Sequence, residues 1–118
     1  MTPQEIQERN KQIALMLGKK YENNCIVIHC HNVCGVNPSG ETWQECSFHS
    51  DWNWLMEAVE FIEKLSVYHM VETNRSSCVI YNGKNIITAN YFKADKTKKE
   101  AVFIAVSDFA KLYNEKKL

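Results

Sequence analysis

The chain has 118 residues, 14 basic and 14 acidic side chains and a formal net charge of zero. That length fits one domain able to bury a core, and the balanced, interspersed charge excludes both the basic footprint of a general nucleic-acid binder and binding to an anionic membrane surface. No apolar run approaches a membrane span, the N-terminal MTPQEIQERNKQ lacks the apolar core of a signal peptide, and the odd set Cys25, Cys30, Cys34, Cys46 and Cys78 points to reduced thiols in a cytosolic setting.

Thr2-Pro3-Gln4-Glu5 reads as a helix start: Thr2 caps, Pro3 takes the first helical position and Glu5 completes a capping box. This helix runs to about Leu17, where Gly18 supplies a left-handed stop. Its apolar positions, Ile6, Ile13, Ala14, Met16 and Leu17, are sparse at first, so its second half should do the packing. Lys19 to Asn24 is a polar break. Cys25 to His31 reads as a strand, rich in β-branched residues, and Asn32 to Glu41, with Gly35, Pro38 and Gly40, as a loop. Thr42 to Phe48 is expected to return as the antiparallel partner of that strand.

The stretch His49 to Leu65 is predicted to be a helix capped by Ser50 or Asp51. Asn53, Glu57, Glu60 and Lys64 form one narrow polar stripe. Trp52, Leu55, Met56, Val59 and Ile62 flank it on one side, and Trp54, Ala58, Phe61 and Leu65 on the other. Ordinary surface helices bury a single stripe. Two apolar flanks predict two partners, a sheet and either another helix or a second copy of the chain. A homo-oligomer through residues 50–65 is therefore expected.

Val67 to Thr73, Ser77 to Tyr81 and Lys84 to Tyr91 read as three further strands. Asn74-Arg75 turns the chain between the first two, and Asn82-Gly83 favours a type I′ hairpin between the last two. With Asn82 and Gly83 as the loop, Tyr81 would face Lys84 and Val79 would face Ile86. Apolar residues then fall on both faces of this sheet, which predicts at least partial cover on both. The last helix starts at a second capping box, Thr97 to Glu100. Val102, Ala105, Val106, Phe109, Leu112 and Tyr113 form its apolar stripe. The order α-β-β-α-β-β-β-α, without a linker, implies one α+β domain: a layered sandwich of helices on an antiparallel sheet.

Candidate chemistry is concentrated between residues 29 and 49. His29, His31, Cys34, Cys46 and His49 are ligand types that zinc takes in a tetrahedron, although their spacing fits no standard knuckle. A Cys–His nucleophile is a second use of the same residues, but no oxyanion hole or orienting third group accompanies it. Glu57, Glu60 and Glu63 read as a solvated helix face. Lys84, Lys93, Lys96, Lys98 and Lys99 form a local basic patch beside Tyr91; Lys84, Lys93, Lys96 and Tyr91 are its candidate anion- or nucleotide-binding residues.

The segment His49-Ser50-Asp51-Trp52-Asn53-Trp54-Leu55-Met56 resembles a helix start, His-Ser-Ser-Trp-Asp-Trp-Leu-Met, in small proteins encoded by bacteriophages and prophages. His49, Trp52, Trp54 and Leu55 carry the likeness. Asn10 to Gly18 resembles the N-terminal helix of those proteins, and Thr97 to Glu115 their C-terminal one, so the resemblance covers both ends and the middle. They are similar to what is called the phage α-β-α sandwich domain and are largely uncharacterised. The resemblance thus implies a fold and a setting in the host cell cytoplasm, with no catalytic residues to carry over; the Cys/His-rich strand departs from the pattern.

The function expected from these readings is a non-enzymatic phage-type binding module. It would engage a host protein or a small anionic ligand, in a role that includes countering host defence, and it needs no cofactor. The alternative is a metal-stabilised or thiol-based enzyme built on the residue 29–49 cluster, with zinc as the metal.

Overall fold

Each helix is delimited by the local chemistry of its ends. The computed structural model describes residues 1–29, 41–75, 77–91 and 97–117, with only the backbone described at Ile28, His29 and Glu41. Helix α1 (Pro3–Met16) begins where Thr2 Oγ1 accepts a hydrogen bond from the Glu5 N–H at 3.2 Å. It ends at Gly18, whose φ of +74° is the left-handed conformation that glycine adopts without a Cβ clash. The expected polar break then contains a hairpin. Asn23 and Asn24 have φ of +50° and +59°, a type I′ loop joining β1 (Tyr21–Glu22) to β2 (Cys25–His29).

Strand β3 (Glu41–Glu45) pairs antiparallel with β2. It stops three residues before the expected end at Phe48, because the chain turns there to enter helix α2 (Trp52–Glu63). Asp51 is the cap, its carboxylate accepting from the Asn53 N–H at 2.8 Å. Strands β4 (His69–Thr73), β5 (Ser77–Asn82) and β6 (Asn85–Tyr91) form a second antiparallel sheet, and helix α3 (Lys98–Asn114) follows, capped by Thr97. The α+β class and the helices on antiparallel strands stand as expected. The strands form two three-stranded sheets rather than one, with β1 as the additional member.

The last hairpin also differs in register. Asn82 pairs with Asn85, and Tyr81 with Ile86, so Gly83 and Lys84 are the loop. In that loop the left-handed φ falls at Gly83 (+62°), the first central position, as a type II′ turn requires. A bulge follows: Tyr81 faces Ile86 but Ile80 faces Thr88. The extra residue lets both Ile87 and Thr88 serve the helix side. Ile87 packs against the core, and Thr88 Oγ1 donates to the Ala105 carbonyl of α3 at 3.1 Å.

The centre of the molecule is α3. Every residue from Ala101 to Ser107 is buried, as are Phe109 and Ala110. It packs against α1, against β5 and β6, and against α2. Arg9 fastens α1 to it, donating to Ser107 Oγ (2.8 Å), to Asp108 Oδ1 (2.7 Å) and to the Ile104 carbonyl (3.3 Å). Helix α2 buries Leu55, Val59 and Ile62 from one flank and Ala58 from the other, with Trp54 and Phe61 packed against the core, while Trp52 and Met56 are each 38% exposed. Both expected flanks of α2 thus contribute to packing, but the longest continuous buried run belongs to α3. Among the described residues no helix is long and apolar enough to cross a membrane.

Candidate functional site

Three groups of residues carry candidate chemistry. In the first, Cys46 and His49 point into different environments. Cys46 is 1% exposed and belongs to the core cluster with Ile13, Ile26 and Phe48. Burial, and secondarily the nearby Cys25 thiol and Glu45 carboxylate, push its thiol up to about 11. Burial likewise raises the Cys78 thiol. A nucleophilic cysteine needs the opposite shift. His31 and Cys34 lie outside the described residues, as does the His29 side chain, and among the described residues no three metal-ligand side chains gather. At neutral pH a thiol shifted from 9 to about 11 carries about a hundredfold less thiolate. Iodoacetamide should therefore leave Cys46 and Cys78 unmodified in the folded protein and label both in urea, as read by peptide mass spectrometry. Rapid labelling of folded Cys46 would contradict this reading.

In the second group, the residues that carry the phage-type resemblance meet at one corner. His49 Nδ1 lies 3.2 Å from the amide nitrogen of Asn10, which is fully buried on α1, and the imidazole packs against Phe103 of α3 at 6.0 Å between ring centroids. Lys99 of α3 donates to the Ser50 carbonyl at 2.9 Å and sits 6.0 Å from the centre of the Trp52 ring. Trp54 packs edge-on against Phe48 at 5.1 Å, and Leu55 is fully buried. Residues of all three resembling segments thus hold α1, the start of α2 and the start of α3 together. His49, Trp52, Trp54 and Leu55 do structural work in this arrangement.

Of the expected basic patch, the described residues Lys84 and Tyr91 stand apart. Lys84 is at the β5–β6 loop and Tyr91 at the far end of β6, about 20 Å away along an extended strand. Lys99 is engaged with Ser50 and Trp52, and Lys93 and Lys96 lie outside the described residues.

The third group is one that reading by element had not singled out: the outer face of the β4–β5–β6 sheet. Residues directly opposite in an antiparallel pair share a face. Val71, Ile80 and Thr88 face α3. Met70, Tyr81 and Ile86 form the neighbouring row on the other side, followed by Glu72, Val79 and Ala89. Of these six outward residues only Glu72 is charged. Met70 is 46% and Ile86 57% exposed, and next to them Val67 is 92% and Tyr68 67% exposed. An antiparallel sheet covered on one side normally turns polar residues outward. The outer face is partly covered, as expected: Val79 is buried, at 6% exposed, and Tyr81 and Ala89 are half-buried, while among the described residues the helices pack on the inner side and leave Met70 and Ile86 exposed. Clustered exposed apolar residues such as Val67, Tyr68, Met70 and Ile86 can mark an interaction surface. The sequence signal was present in the apolar residues on both faces of β4–β6.

The described residues form an α+β domain whose second sheet packs its inner face on the helices. No family model, no curated protein and no solved structure matches the chain.

Proposed function

We propose that this protein is a non-enzymatic binding module of the accessory kind that phages and prophages encode, and that it docks a host protein through the outer face of the second sheet. The observation that carries the reading is the exposed pair Met70 and Ile86, on either side of half-buried Tyr81 and flanked by exposed Val67 and Tyr68. Apolar side chains left in water contribute binding energy once a partner covers them, about 25 cal/mol per Å². The raised thiols and the structural use of His49 supply no competing catalytic arrangement.

The test compares the protein with a Met70→Glu, Ile86→Glu variant in capture from host lysate, read by native mass spectrometry. Both changes lie on an exposed face, so the melting temperature should stay close to that of the parent. Two buried charges should reduce capture of a stoichiometric partner at least about tenfold. A partner retained equally by both proteins, or no partner with either, would remove the reading. So would a purified protein that is already a dimer and becomes monomeric in the variant, since the face would then bind a second copy.

A further inference from the structure

A separate feature lies at the other end of the helix layer. Leu65 after α2, His69 on β4, Asn82 on β5, and Tyr113 and Lys116 at the end of α3 line a cavity of about 590 Å³. Small-molecule sites fall within about 300–1,000 Å³ and combine apolar walls with a few convergent polar groups. Two of the walls are held in place. Tyr113 meets Phe61 edge-on at 5.7 Å, and the His69 ring meets Phe109 at 6.1 Å. His69 Nδ1 is taken by Ser66 Oγ at 2.7 Å, which leaves Nε2 as the ring nitrogen for a ligand.

Among the described residues the one charged lining residue is Lys116, and its backbone is the second observation. Helices α1 and α3 end in the same way, with a left-handed residue just past the cap. In α1 that residue is Gly18, φ +74°. In α3 it is Lys116, φ +57°, with its N–H bonded to the Tyr113 carbonyl and the Lys117 N–H bonded to the Leu112 carbonyl. A side chain in this conformation costs about 1 kcal/mol relative to glycine. The chain therefore keeps an ammonium at the cavity wall in a place where glycine would be more stable. Among the described residues no carboxylate pairs with Lys116; the adjacent Glu115 is engaged by Lys117 at 3.1 Å. The C-terminal end of α3 disfavours an anion, by about 0.3–1 kcal/mol. The carbonyls of Lys111, Leu112 and Tyr113 in its last turn are already hydrogen-bonded, and a full ammonium charge at contact distance outweighs the remaining partial charge.

We infer that this cavity binds a small organic anion, an oxyanion group on a planar apolar body. The oxyanion would meet Lys116, Asn82 and His69, and the ring would lie between Leu65 and Tyr113. The inference does not rest on the sheet-face reading.

The test titrates phenyl phosphate, benzoate and neutral benzyl alcohol into the protein and follows the His69 and Asn82 side-chain resonances. At least one of the two anions should give a saturable shift, with benzyl alcohol about tenfold weaker; which anion binds more tightly identifies the oxyanion. Lys116→Gly should weaken that anion about tenfold while holding or raising the melting temperature, because it removes charge and strain together. Lys116→Asn, which tolerates the same backbone, should match it in binding. The inference is overturned if neither anion saturates, if benzyl alcohol binds as tightly, or if both Lys116 variants bind the anion as the parent does.

Discussion

Phe103→Ala is expected to cost about 3–5 kcal/mol of folding free energy, a large fraction of the stability of a domain of this size. The Phe103 ring is fully buried in a helix that touches α1, α2 and strands β5 and β6 of the second sheet. Truncation leaves a void whose walls come from elements far apart in sequence, so no single neighbour can collapse into it. Trp52→Ala makes the contrast. Trp52 is the larger side chain, but more than a third of it is in water, and its polar neighbour is an exposed lysine. Its loss should cost about 1–2 kcal/mol. Urea denaturation of both variants checks the order. If Trp52→Ala proves the more damaging, then α2, with its two tryptophans, is the centre of the fold and the packing described above is wrong.

Asn10→Ala is expected to cost about 1–3 kcal/mol, the range for stranding a buried polar partner. Asn10 is fully buried, and its amide nitrogen is 3.2 Å from His49 Nδ1. Removing the amide leaves the imidazole nitrogen facing a pocket that α1 still closes. His49→Ala should cost a comparable amount, and the double variant should cost less than the sum, since the second change removes a group that has already lost its partner. Replacing both residues by apolar ones of similar shape, Asn10→Leu with His49→Phe, should recover much of the loss. Strict additivity in denaturation experiments would mean that the two side chains do not interact.

These two predictions mark where reading the sequence by itself succeeds and where it stops. Thr2, Gly18 and Thr97 act as caps and stops in the structure as their neighbours dictate, because a cap depends on atoms within three or four residues. The Asn23-Asn24 hairpin, expected only as a polar break, rests on equally local chemistry, two residues tolerant of a left-handed backbone before a β-branched run. The register of the last hairpin was not. The Asn82-Gly83 pair favours one loop, but the actual loop is Gly83-Lys84 with a bulge behind it. That choice keeps Ile80, Ile87 and Thr88 on α3, a benefit that exists only once α3 is present.

The candidate sites divide along the same line. The His49 motif is visible in the sequence, yet its use, pinning Asn10 and stacking on Phe103, joins positions 39 and 54 residues apart. Lys116 reads as an ordinary lysine at a helix end; only its left-handed backbone and the cavity wall beside it give it a role. By itself the sequence determined the α+β class, nearly all the elements and most of their ends, because periodicity and capping are local. Only the tertiary structure decided that α3 rather than α2 carries the longest buried run, that the strands divide into two sheets, and that Met70 and Ile86 stay exposed on the outer face of the second. Those outcomes depend on how a limited set of apolar helix faces is shared among competing surfaces, and that competition is settled over the whole chain at once.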